Sequence, residues 1–189
     1  DEIKEIEETV ERLVEELKRI VEEWREESKR NVDELEKRIR DIKRRIDEAI
    51  KTLEELKRRG LPKEELSERI KRILEKLKRE IDKVKEEVRR SHKDLDRKSK
   101  EIETRIRKLL EDLERKIREA KKRMKDDSRV EELRRALDEL LEKARKVVEE
   151  VEKMIKEVND RNKKVVDELK RTLDKILKDL EEVAREVDR

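Results

Sequence analysis

Apolar residues recur along this chain in alternating steps of three and four, almost without interruption. One run passes from Ile3 through Leu13, Leu17, Ile20 and Trp24 to Ser28, Asn31 and Leu35, and on to Leu56. A second passes from Leu66 through Ile81, Val88, Ser91, Leu95 and Ser99 to Met124. A third goes from Val130 through Val147, Val158, Asn162, Val165 and Leu169 to Val187. Such steps put the named side chains on one face of an α-helix. The mean step of about 3.5–3.6 residues predicts long helices that are gently twisted or nearly straight.

The rhythm breaks at two places. In RRGLPKEEL (residues 58–66), Gly60 suits the left-handed residue past a helix end, after the basic Lys57, Arg58 and Arg59. Pro62 suits the first turn of the next helix, where its missing N–H is harmless. In MKDDSRVEEL (residues 124–133), Ser128 and Glu131 have the spacing of a capping box. The pattern therefore predicts an all-α chain, one domain over 1–189, with helices over 1–59, 62–125 and 128–189. Helices of about sixty residues, each roughly 90 Å long, joined by short loops must run antiparallel. The expected architecture is an up-down-up, coiled-coil-like three-helix bundle. Apolar residues beside the seam, among them Val14, Val21, Leu74, Val148, Val166 and Leu177, widen the stripe as a three-helix core needs.

Composition alone points elsewhere. Charged residues are 61% and apolar residues 31% of the 189, a balance that usually means disorder. Two apolar positions in seven, however, is what a coiled-coil seam requires, and the periodicity decides for a folded chain. The absence of cysteine removes disulfides and thiolate metal sites. No apolar run approaches the roughly 18–20 residues of a membrane span, so a soluble protein is expected with no compartment implied. The start at Asp1 rather than Met leads us to expect that a tag or leader has been removed.

The net charge of +3 is unevenly spread: residues 1–62 carry −3, 63–125 carry +9 and 126–189 carry −3. With no stacking aromatics beside the basic segment, the expected reading is a middle helix matched to two acidic neighbours, with no nucleic-acid or membrane partner.

Polar residues within the seam are the remaining signal. Reflecting the chain through loops centred near Leu61 and Asp127 brings Asn31, Ser91 and Asn162 to one height. Ser28 and Asn159 fall a turn away, and His92 flanks Ser91. The expected layer of Ser28, Asn31, Ser91, His92, Ser99, Asn159 and Asn162 would penalise slipped registers, because misplaced amides are stranded among apolar groups. Trp24, the one aromatic residue, reflects onto Ser99, whose hydroxyl offers the indole N–H an acceptor.

No catalytic, cofactor-binding or metal-ligating residue is assigned, and no enzyme activity is expected. His92 is the single histidine, and neighbouring Ser91 and His92 do not face each other on a helix. The single Gly ends a helix and forms no phosphate loop.

With three equal helices, minimal loops (GLP and DDS), Leu/Ile/Val seams, Glu/Lys/Arg surfaces and a polar layer, the chain resembles computationally designed helical bundles. Spectrin-like repeats share the three helices but not their length or regularity. Single-helix ER/K domains share the charge but lack the seam. The resemblance implies a structural scaffold without a natural substrate, monomeric and requiring no partner or cofactor. The alternative is a helix-binding or oligomerising interaction module, such as a switchable cage component, which should leave an open apolar stripe.

Overall fold

The structure is a computed structural model that describes residues 2–124 and 129–188. Three helices make up the fold: α1 (Glu2–Arg58), α2 (Lys63–Arg123) and α3 (Val130–Asp188), of 57, 61 and 59 residues. There is no strand among the described residues, and the class is the expected all-α three-helix bundle. Acidic residues open each helix and basic ones close α1 and α2: Glu64 and Glu65 begin α2, while Lys121, Lys122 and Arg123 end it. Both placements oppose the helix dipole.

Gly60 has φ +66°, as the end of α1 demands. The turn closes with Arg59 N–H donating to the Glu55 carbonyl and Gly60 N–H to that of Lys57. Pro62 stands just before α2 rather than in its first turn, and its carbonyl accepts the Leu66 N–H at 3.0 Å. Its ring has no donor to waste at that position. Ser128, the expected cap of α3, lies outside the described residues.

The contacts divide into two compact units, and each contains a piece of all three helices. The first comprises residues 1–28 and 95–160, the second 29–94 and 161–189. Leu17, Ile106, Leu137 and Ile155 are fully buried in the core of the first. Ile81, Val88 and Leu173 are fully buried in the core of the second. Each such side chain contributes about 1.5–3 kcal/mol through loss of apolar surface to water.

At three places the seam takes a neighbour of the expected residue. Val32 is buried and Asn31 half-buried; Val148 and Val166 are buried while Val147 and Val165 are half-buried. A step of four followed by three is as helical as three followed by four, so packing made the choice.

Ion pairs bracket the seams. In the first unit Arg105 meets Glu16 at 2.7 Å, Arg123 meets Glu2 at 3.2 Å, Arg145 meets Glu114 at 3.4 Å and Arg107 meets Glu152 at 3.8 Å; Lys98–Glu27 and Lys121–Asp138 also pair. In the second, Arg45 meets Glu80 at 2.7 Å and Lys85 meets Asp174 at 2.8 Å, and Arg38 pairs with Glu87. Every one of these inter-helix pairs has a partner on α2.

A hydrogen bond from Lys85, and its charge, hold the Asp174 carboxyl below its usual pKa; Arg89 does the same for Glu86 on α2. The Arg45 guanidinium is pushed up, first by its hydrogen bond to Glu80.

Ile106→Ala should cost about 2–5 kcal/mol in chemical denaturation, whereas Met154→Ala, at an exposed site, should stay within about 0.5 kcal/mol. A depressed carboxyl pKa stabilises the fold above the unfolded value, and that stability is lost as pH falls through the folded value. The acid limb of a stability–pH curve should therefore shrink slightly in Lys85→Gln, below the normal aspartate range, and nowhere near neutrality.

Candidate functional site

Mid-helix polar side chains facing a core are the chain's departure from its own pattern, and the candidate site is built from them. Three are buried: Ser28 and Ser99, both 2% exposed, and Asn162 at 9%. Asn31, Ser91, His92 and Asn159 are half-buried.

In the first unit the ion pairs set the register. Lys98–Glu27 puts the next residue, Ser99, near Glu26 on α1 and Arg105–Glu16 puts it near Glu22, so Ser99 stands within a turn of Trp24, with Ser28 the next turn along. Arg107 pairs with Glu152; eight residues back along α2 and eight forward along α3 put Ser99 level with Asp160, beside Asn159. The first unit thus gathers Trp24, Ser28, Ser99 and Asn159. Asn159 Nδ2 donates to Ser99 Oγ at 2.5 Å. The Ser99 hydroxyl thus serves the Asn159 amide and not the Trp24 indole, the expected donor. The indole is 1% exposed, and its Nε1 has no hydrogen-bond partner among the described residues.

Ser28 Oγ is likewise without a partner. Thr9, Thr52, Thr104 and Thr172 each donate to the carbonyl four residues back, the usual resort of a helical hydroxyl. Ser28 does not, and a buried group left so costs about 1–3 kcal/mol.

In the second unit Lys85 pairs with Asp174, so Ser91 stands level with Glu168, six residues or ~9 Å along α3 from Asn162. Arg38–Glu87 puts Ser91 level with Glu34 on α1, three residues from Asn31. The Asn162 Nδ2 has no partner among the described residues, so neither Asn31 nor Ser91 receives its donor. The reflection expected Asn162 opposite Ser91. The Lys85–Asp174 pair sets α3 against α2 about one and a half turns further on, because register follows the meshing of seams and charges rather than a loop's midpoint. What the residue count missed was the charge signal: pairs such as Lys121–Asp138 and Glu114–Arg145 repeat one offset along α2 and α3.

Chemically, hydroxyl and amide groups can orient and exclude but do not exchange protons at neutral pH, and His92 is the one titratable side chain in the set. No group of three His, Asp or Glu side chains that could hold a metal occurs among the described residues. No described helix is long and apolar enough to cross a membrane.

No protein-family model matches the chain, and no curated protein matches it. Among solved structures it is similar to a "Computationally designed three helix bundle" at 21% identity, with a TM-score of 0.36, over 99% of this chain and 87% of that one.

Ser28→Ala removes an unpartnered hydroxyl and should raise stability by about 1 kcal/mol. Ser99→Ala takes the acceptor from a half-buried amide that water can still reach, and should cost less than about 1 kcal/mol. Urea titrations of both variants measure the contrast; a loss in Ser28→Ala comparable to a core truncation would contradict it.

Proposed function

We propose that this chain is a structural scaffold of designed origin, a three-helix bundle with no natural substrate, cofactor or catalytic role. The observation that carries the reading is the closure of the apolar faces. Among the described residues Met154, 38% exposed, is the one exposed large apolar side chain. A module built to accept another helix would need a continuous open stripe. The uniform agreement of caps, seams and charges with one fold supports a designed origin.

The role expected of the polar layer is proposed for the buried Ser28, Ser99 and Asn162 together with Asn31, Ser91, His92 and Asn159: they limit register at some expense in stability. Sliding a helix by one turn would move their polar atoms among Leu and Ile side chains, at about 1–3 kcal/mol for each group stranded.

The second reading, a helix-binding module, rests on one short groove of the second unit, where Leu74, Leu177, Leu180 and Ala184 lie between Lys71, Lys78, Glu75 and Glu181.

Two experiments test the proposal. In about 1 M salt, where the Debye length is ~3 Å, the thermal midpoint of a self-closed scaffold should not depend on protein concentration. A midpoint that climbs with concentration would favour the second reading. Replacing Asn31→Leu, Ser91→Ala and Asn162→Leu together should raise that midpoint, and a large fall would refute the register role.

A further inference from the structure

We propose that the α1/α2 face of the second unit is a self-complementary docking surface for a second copy of this chain. A continuous groove runs along this face, bounded by one rail of charge on each helix. On α1 the rail is Asp41, Glu48 and Glu55, at seven-residue steps; on α2 it is Lys83, Lys76 and Arg69, at the same steps in the opposite direction. The rails meet in register: Asp41 lines one segment of the groove with Lys83, Glu48 the next with Lys76, and Glu55 the third with Arg69. Adjacent segments share Arg45 and Glu80, then Thr52 and Ile73, so the groove is contiguous.

All six rail residues are exposed. Deeper in the groove Arg45 and Glu80 close a bridge between the helices, but the rails do not. Asp41 and Arg69 pair with Arg44 and Glu65 on their own helices, and no ion pair among the described residues joins one rail to the other. The charged ends are left pointing outward.

The arrangement selects its occupant. A polyanion would meet the three α1 carboxylates, and a helix of one sign would match one rail and oppose the other. A second copy turned half a revolution about an axis parallel to the helices does neither. It lays its acidic rail over the basic rail and its basic rail over the acidic one, level at all three steps. That match requires antiparallel helices with equal charge spacing, and this face has both. The contact is isologous, so it closes at two copies. Its heptad-spaced charges act as flanking charges do in coiled coils, choosing partner and orientation. The rails extend ~21 Å at 1.5 Å per residue, and their attraction is screened by salt. The scaffold reading is tested in salt high enough to remove this pairing, so the two can fail separately.

Sedimentation equilibrium of the full chain tests the proposal. At about 0.01 M salt the mass should approach twice 23.2 kDa, and the dimer should weaken at least about tenfold by 0.15 M. K76E/K83E makes both rails acidic at two of their three steps and D41K/E48K makes both basic at the same two; each alone should stay monomeric, and an equimolar mixture should form a one-to-one dimer. The fourfold variant carrying all these changes restores complementarity within one chain and should dimerise again, with circular dichroism checking that every variant is helical. A wild-type chain that stays monomeric up to about 1 mM in low salt overturns the proposal. So does a dimer that either double variant leaves intact, or a mixture that does not associate.

Discussion

A helix with two apolar positions in seven cannot hide its seam by itself. Everything else here follows from the need to bury three such seams against one another. With 61% of residues charged, the chain has no reserve of apolar surface. It is a narrow stripe on each helix, not a broad hydrophobic face, that separates this protein from a disordered polyampholyte. The stripe's continuity matters more than its size: a single phase is kept over 57 to 61 residues, so each turn of each helix adds its own burial. Hence the fully buried positions are mostly Leu, Ile and Val at helical spacing, and the charged residues are confined to the flanks and outer faces.

Charge does a different job. The basic middle segment between acidic neighbours becomes, in three dimensions, a helix that partners both others. Lys98 and Arg105 reach to α1; Lys85, Arg107 and Lys121 reach to α3. These pairs are largely exposed, and such pairs are typically worth only ~0–1 kcal/mol each. Their value lies in repetition, with these three α2–α3 pairs at one offset, since a slip of one helix breaks several together. The seam supplies the free energy, and the ion pairs select among alignments that the seam alone would nearly tolerate.

The polar side chains in the cores complete that division of labour. Asn159 and Ser99 satisfy each other, whereas Trp24, Ser28 and Asn162 keep buried groups without partners. Each is a local expense against a chain otherwise consistent at every level, which is where specificity or function is to be sought.

Sequence alone determined the number of helices, their ends to within a few residues, and the fold class. Those depend on periodicity and on Gly60 and Pro62, whose backbone preferences are intrinsic. It also marked the polar positions as exceptional, because an amide on an apolar face is visible without coordinates. Tertiary structure decided what a single helix leaves degenerate. Whether Asn31 or Val32, Val147 or Val148, Val165 or Val166 turns inward is a difference of one step in a pattern where threes and fours are equally helical. Which polar residues share a height depends on the offset between helices, and that is set by seams and charges meshing along their length. Counting from a loop cannot supply that offset, since the chain's own periodicity repeats every turn and offers several near-equivalent alignments until neighbouring side chains choose one.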